Sequence, residues 1–456
     1  MTEAVHAPSY RCSSTLDFGG AGGRLCLQTS TGLTPAGSHP HPRFFSGFLT
    51  EPRAAAAALL SVADVAAARY HRQFPDASRD PVVTGNGDRL RFESFSACGG
   101  VYARLDVLAA GLDGGEVGHG TTNVDVNDPL REALARVGGA DPLHLSVGPD
   151  ELAVATPDGA VVEKKVPLPD RWLRGFAETQ VIASTFDLRG EVPAAEAVRF
   201  LRSLPRGSRD PGWVVPGGRT LRRTSRPVPG AVCLPGPVRL AALGRVLRYA
   251  RALRVYGPPV TARSEPVAAA WEVVLPGMRL TLTLSPSAAR GFSGEGAALE
   301  ALADADAADA DRVAALLAWE PRLDVADLAE QAGLAPARVR AALTLLGTAG
   351  RVGYDTAEAA HFHRELPYDA AHAERRNPRL RMARSLVAAG AVRLDGDLAA
   401  VTVDADRVHR VRSGGGESTC TCPWWTRYRG GRGPCSHVLA VRLARGTVVR
   451  PEGDSR

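Results

Sequence analysis

Lysine is almost missing from this 456-residue sequence: Lys164 and Lys165 are the only two, and the other 53 basic residues are arginines. Methionine occurs three times, cysteine seven times, and aromatic residues make up 6% of the chain. Each scarcity excludes something. Sparse, scattered cysteine excludes a disulfide-stapled secreted scaffold, and Cys12, Cys26, Cys98 and Cys233 are expected as small buried side chains. Long apolar runs are absent too: the most apolar window, residues 54–68, is interrupted by Asp64 and is too short to span a bilayer. The start, Met-Thr-Glu-Ala-Val-His, has no basic residue leading into an apolar run, so neither a secretory signal nor a membrane partner is expected, and the compartment is expected to be cytoplasmic. Arginine in place of lysine, with abundant alanine, glycine and proline, is what a G+C-rich coding sequence produces. Frequency alone therefore gives no arginine a function.

What is present is the composition of a globular protein, 45% apolar and 23% charged, on a chain long enough for two to four domains. The formal charge of +6 is unevenly spread. From Arg375 to Arg456 sixteen arginines face seven acids, so this tail carries +9 and everything before it −3. Residues 295–311 hold six acids and no base. A basic end on a near-neutral body suits a polyanionic partner.

Up to about residue 285 the pattern is an amphipathic helix followed by alternating strands. Asp128-Pro129 predicts an N-cap and first helical residue, with Leu130, Leu134 and Val137 on one face and strands at 143–147, 152–154 and 161–166 after it. Similar helices are predicted at 51–70, 194–204 and 237–250, and short strands before some of them, 124–126 and 181–186 included. The fold class expected is multidomain α+β, with an N-terminal domain over 1–190 and a second over 191–290. Four successive strand–helix–hairpin units resemble the arrangement of DNA sliding clamps, whose helices line a basic pore; Arg131, Arg136, Arg199, Arg202, Arg245 and Arg248 stand on these helices. Ordinary α+β packing, helices on one sheet face, is the alternative.

Residues 291–311 are expected as an acidic linker running into a helix. Beyond it, helices are predicted around Val313–Trp319, after Asp324 and from Pro336, then strands at 350–354 and 362–366. This order, over 312–367, resembles a winged helix–turn–helix, a family whose third helix enters the DNA major groove. The resemblance makes Arg338 and Arg340 candidate contacts. A winged helix used for packing or protein contact is the alternative.

The densest chemistry lies at Cys420-Thr-Cys-Pro-Trp-Trp-Thr-Arg-Tyr-Arg-Gly-Gly-Arg-Gly-Pro-Cys-Ser-His437. Cys420 and Cys422 are two apart, so in an extended segment both thiols project to one face. Cys435 and His437 form a second pair at the head of an amphipathic helix. Three thiolates and an imidazole make a closed tetrahedral set that suits one structural Zn²⁺ and leaves no open position for substrate. The Cys-x-Cys then Cys-x-His order, with Pro423 directly after the second ligand, resembles a SWIM zinc finger within a domain over 375–447, and the match assigns Cys420, Cys422, Cys435 and His437 as ligands. That family implies a binding module for nucleic acid or for protein.

Between the pairs lie too few apolar residues to fold without a metal. The loop carries Trp425, Tyr428, Arg427, Arg429 and Arg432, and the following helix Arg442 and Arg445; residues 420–445 contain no acid. Aromatic faces beside guanidinium groups suit bases and phosphates, although Trp424 and Trp425 also suit a small core. His361, His363 and His372 could make a second metal site, but a polar wing explains them as well. His39 and His41 have the same standing. No carboxylate pair, triad or cofactor fingerprint occurs. The function expected is a non-enzymatic zinc protein that binds nucleic acid, DNA ahead of RNA, with a protein-interaction adaptor as the alternative. The first 290 residues are left open to an activity that no motif marks.

Overall fold

A computed structural model of the chain describes residues 43–71, 81–366 and 378–448, except 115, 125, 166–169, 206, 405 and 415–416, together with short strands between 15 and 39. Cys12, His41 and His372, and the side chains of Cys26 and His39, lie outside the described residues.

Alternating apolar residues form strands wherever one face can be covered, and residues 45–284 use this in three antiparallel sheets. In chain order the elements are β1 (Phe45–Leu49), α1 (Pro52–Ala67), β2 (Val82–Asn86), β3 (Arg89–Phe95), β4 (Val101–Leu108), β5 (Leu112–Gly114), β6 (His119–Asn123), α2 (Asp128–Arg136), β7 (His144–Val147), β8 (Glu151–Thr156) and β9 (Gly159–Lys164). They continue with α3 (Asp170–Ala183), β10 (Asp187–Pro193), α4 (Ala194–Ser203), β11 (Gly212–Gly217), β12 (Thr220–Thr224), β13 (Val232–Leu234), β14 (Ala252–Gly257), β15 (Ala269–Leu275) and β16 (Met278–Leu284). The eight-stranded sheet has the order β6-β2-β3-β4-β16-β15-β14-β10, so it passes without a break across residue 190; β4 pairs with β16 from Met278↔Val107 to Leu284↔Val101. A five-stranded sheet, β9-β8-β7-β1-β5, and a three-stranded sheet, β12-β11-β13, flank it. Leu90, Leu105, Val107, Trp271, Val273, Leu280 and Leu282 are buried beneath α1 and its neighbours, and they form the main core.

Three sequence expectations change here. The α2 helix is capped by Asn127, whose side chain accepts from the Leu130 N–H, and not by Asp128. Residues 237–249 form two 3-10 segments, Pro237–Arg245 and Leu247–Tyr249, in place of an α-helix. Within the first of them Arg239 points inward and donates to the carbonyls of Gly100 (3.0 Å) and Pro235 and to Ser285 Oγ (3.3 Å), tertiary contacts that helical periodicity does not encode. Residues 181–183, expected in a strand, end the helix α3, whose Trp172, Phe176 and Ala183 pack on Phe95 and Tyr102. The helix passes close enough to the sheet that a Cβ on Gly175 would lie 2.9 Å from the Phe95 ring. The arginines on the N-terminal helices are largely neutralised: Arg131 (2.5 Å) and Arg245 both reach Asp64, and Arg199 reaches Glu196.

After β16 the chain builds α5 (Ala298–Asp304), α6 (Ala307–Ala314), α7 (Val325–Ala332), α8 (Pro336–Thr348), β17 (Val352–Asp355) and β18 (Ala360–His363). Residues 291–311 are thus mostly helical, with Leu299 and Leu302 buried against the C-terminal region. Asp324 caps α7 and Gly333 closes it in a left-handed turn. The β17–β18 hairpin is almost entirely buried, because it docks on the eight-stranded sheet. Its Asp355 accepts from Arg91 (2.8 Å), Arg104 (2.7 Å) and Arg279 (3.0 Å), while Glu358 takes Arg89. Arg91 also holds Asp106 (2.7 Å), and Arg364 pairs with Glu93. His361 and His363 are buried within the hairpin; His363 Nδ1 accepts from the Trp319 N–H (2.7 Å).

Candidate metal centre

The C-terminal unit consists of α9 (Pro378–Ala388), a meander β19 (Val392–Asp395), β20 (Leu398–Asp404), β21 (Arg407–Gly414) and β22 (Glu417–Cys420), then α10 (Pro423–Tyr428) and α11 (Ser436–Val448). Alternation decides what each strand presents. In β21, Val411 is buried and the flanking Arg410 and Arg412 are exposed. Val401, Val411, Leu380, Leu386, Val438 and Leu439 form a small core, and the three ligand cysteines complete it.

Each ligand is placed by the end of an element. Cys420 closes β22. Cys422 is the N-cap of α10, its Sγ accepting from the Trp425 N–H (3.4 Å), with Pro423 in the first turn where no donor is needed. Cys435 stands before α11, its Sγ accepting from the Val438 N–H (3.5 Å), and His437 lies in that helix's first turn. The three sulfurs and an imidazole nitrogen lie within 4.8 Å of one another, and Cys420 Sγ is 3.8 Å from His437 Nδ1. Tetrahedral zinc with bonds of about 2.0–2.3 Å requires ligand separations of about 3.3–3.8 Å; the Cys420–His437 pair is at that distance, and the quartet as a whole is close enough to close on one ion. All three cysteines are buried and His437 is half-buried against His409, ring centroids 4.4 Å apart.

The electrostatics favour a cation. A hydrogen bond from the Cys420 thiol, helped by His437 and the Val438 N–H, holds the Cys435 pKa well below the ordinary thiol value. That thiolate in turn raises Cys420, and burial raises Cys422. Three thiolates so close together repel one another unless a divalent ion neutralises them. With four protein ligands the zinc would be structural, fixing β22, α10 and the head of α11 to one point.

The loop between the ligand pairs faces the body of the protein. Arg432 lies over the rings of Trp424 (4.9 Å) and Tyr428 (4.6 Å) and donates to the Gly294 carbonyl (3.4 Å). Arg379, from α9, stacks on Trp424 (4.7 Å) and donates to the carbonyls of Arg432 (2.5 Å) and Pro434 (3.0 Å). Gly433, in a left-handed conformation, rests on the backbone of Gly296; a Cβ there would lie 2.2 Å from the Gly296 oxygen. Trp425 packs on the small core. In α11, Arg442 pairs with Glu300 (3.1 Å) and Arg445 donates to the Gly396 carbonyl (2.7 Å).

Of the arginines singled out in the finger, Arg427 and Arg429 are exposed, Arg427 lying over the Tyr428 ring (5.4 Å), while Arg432, Arg442 and Arg445 bond to carbonyls or a carboxylate. On α8, Arg338 grips Asp309 with two hydrogen bonds (2.7 and 2.6 Å), and Arg340 is exposed. Sequence reasoning passed over the outer face of the meander. Register places Arg393 beside Ala400 and Ala400 beside Arg410, with Arg412 two residues further along β21 next to Thr419. Arg393, Arg410 and Arg412 are exposed, and none has an ion-pair partner among the described residues. The alternation Arg410-Val-Arg412 was the available signal.

Residues 400–446 match the model of the SWIM zinc finger family. No curated protein matches the chain. Among solved structures, the proliferating cellular nuclear antigen from Entamoeba histolytica is similar at 10% identity and a TM-score of 0.35, over 54% of this chain and 99% of that one. The PCNA2–PCNA3 complex from Sulfolobus tokodaii is similar at 9% identity and a TM-score of 0.36, over 54% of this chain and 100% of that one. Similarity at this level carries no argument about what the chain does. Among the described residues no helix is long and apolar enough to cross a membrane.

Proposed function

We propose that the chain is a non-enzymatic, zinc-dependent nucleic-acid-binding protein whose contact surface is the outer face of the C-terminal meander, with Arg427 and Arg429 beside it in sequence on the finger. One observation carries this reading: Arg393, Arg410 and Arg412 stand exposed on one sheet face without carboxylate partners among the described residues. Adjacent strands are about 4.8 Å apart and alternate residues about 6.7 Å apart, so the three guanidinium groups form a grid that can follow a phosphate backbone. Zinc supports it indirectly, by tying β22, the edge strand of that sheet, to α11 on the sheet's inner face.

On this reading the helix–hairpin unit, despite its winged-helix order, couples the finger to the large sheet and does not read DNA. Its hairpin is buried on the arginines of β3, β4 and β16, and Arg338 is engaged by Asp309. A second reading has a specific observation behind it: Leu398 and Val408 share the outer face and are 52% and 53% exposed. Apolar groups among arginines suit an acidic protein partner.

The test is fluorescence anisotropy with labelled single- and double-stranded DNA and RNA at 50–200 mM salt, comparing the wild type with Arg393→Ala/Arg410→Ala/Arg412→Ala. Binding that weakens with salt, and a triple variant that binds less, supports the reading. No binding to any of the four at the lowest salt overturns it, and a stoichiometric protein partner lost in the same variant would favour the second.

A further inference from the structure

A cleft of about 680 Å³ opens between α3, α5, α8, α11 and the β17–β18 hairpin. Its volume is that of a site for a ligand of nucleotide size. Arg322, Arg340, Arg442, Tyr354 and His361 line it, with the acids Glu300 and Asp324. Both acids are already engaged: Glu300 holds Arg442, and the Asp324 carboxylate accepts from the N–H groups of Ala326 and Asp327. Arg322 and Arg340 are exposed, and their guanidinium groups have no hydrogen-bond or ion-pair partner among the described residues. His361 is 9% exposed and packs edge-on against Tyr354 (ring centroids 5.1 Å); its backbone carbonyl accepts from the Leu323 N–H (2.7 Å), while its ring nitrogens have no hydrogen-bond partner among the described residues. An imidazole whose ring has no protein partner among the described residues, on the wall of a cleft lined by three arginines and two acids, is a hydrogen-bonding group that a ligand in the cleft can reach.

We propose that this cleft binds a phosphorylated small molecule of nucleotide size, its phosphate held by Arg322 and Arg340 and hydrogen-bonded by His361. Guanidinium groups suit a phosphate because their planar donors match its oxygens. Burial, and then the nearby charge of Arg340, push the His361 pKa down to about 4, so at neutral pH the ring donates one N–H and adds no charge. The charge for an anion comes from the two arginines. The site shares no residue with the meander face and stands independently of the nucleic-acid reading.

The test uses the full chain, with ATP, inorganic phosphate and citrate as probes in calorimetry and thermal unfolding, and a trinucleotide with either a 5′-phosphate or a 5′-hydroxyl. ATP is expected to bind and to raise the unfolding temperature. Arg322→Ala/Arg340→Ala, at exposed positions, should weaken it on the order of a hundredfold, with His361→Gln weaker by about tenfold. Arg393→Ala/Arg410→Ala/Arg412→Ala should leave it unchanged, which separates this site from the meander. A trinucleotide that binds only when 5′-phosphorylated, while ATP does not, identifies the phosphate source as a strand end and supports the same chemistry. Absence of binding by every phosphorylated probe, an unaltered affinity in the double variant, or an equal response to citrate overturns the proposal.

Discussion

Asp355 and Arg104 are 251 residues apart in the chain, yet the Asp355 carboxylate accepts from Arg104 Nη2 at 2.7 Å, with Arg91 and Arg279 on the same carboxylate. All four side chains are buried or nearly so. The hairpin carboxylate thus helps to fix the helix–hairpin unit that follows β16 to the eight-stranded sheet, together with the Arg364–Glu93 and Glu358–Arg89 pairs.

Removing it should be costly. Asp355→Asn keeps the shape but leaves three arginines with Asp106 and Glu358 alone, and breaking such a buried arrangement costs about 3–5 kcal/mol. Urea unfolding should show that loss. The three arginines hold the Asp355 pKa far below the ordinary carboxylate range. Its contribution is therefore present above the unfolded value near 3.8 and is lost only as pH falls through the much lower folded value. The junction should survive from neutral pH to pH 4; dissociation there would contradict this.

Glu178 has the opposite sign. Buried on α3, it accepts from the Ala298 N–H (3.1 Å) at the start of α5, and burial raises its pKa from 4.5 to about 7. The folded state holds this proton more tightly than the unfolded chain, so the contribution is complete below about pH 4.5 and is lost as pH rises through about 7. The loss amounts to about 3 kcal/mol. Glu178→Gln should remove that slope and be more stable than the wild type at pH 8, a comparison that thermal unfolding at pH 5 and pH 8 would settle.

Metal analysis should find one zinc per chain, and Cys435→Ser or His437→Ala should lose it. Zinc binding in such small units supplies about 10–16 kcal/mol of apparent free energy, so the unit from α9 to α11 should lose its amide-exchange protection when the metal is removed. The large sheet, whose core is separate, should keep its own protection.

If the meander face contacts phosphates, each of Arg393, Arg410 and Arg412 contributes about 0.7–0.9 to the slope of log affinity against log salt. The triple alanine variant should lower that slope by about two to three. Arg432→Ala, which removes a guanidinium packed between Trp424 and Tyr428, should change stability and leave the slope untouched.

Much of the molecule is legible in local pattern. The Cys-x-Cys and Cys-x-His pairs specify a metal site because each pair needs only an extended segment or a helix start, and the structure brings the quartet within 4.8 Å. Helices such as α4 and α8, and the alternating strands of the large sheet, follow from periodicity, proline and glycine. The α3 helix was missed because its Val181-Ile182 end resembles a strand, and Gly175 inside it is required by the Phe95 ring, a contact between residues 80 apart.

The sequence alone marked Cys420, Cys422, Cys435 and His437 as a candidate set for one zinc ion, and it determined the concentration of positive charge at one end, since residue type, short-range spacing and the family resemblance carry these. Tertiary structure alone decided which arginines are available. Arg432, Arg442 and Arg338 are occupied by a carbonyl or a carboxylate from distant segments, while Arg393, Arg410 and Arg412, turned outward by strand register, have no ion-pair partner among the described residues. Availability depends on what lies opposite a side chain in space, and spacing along the chain does not carry that information.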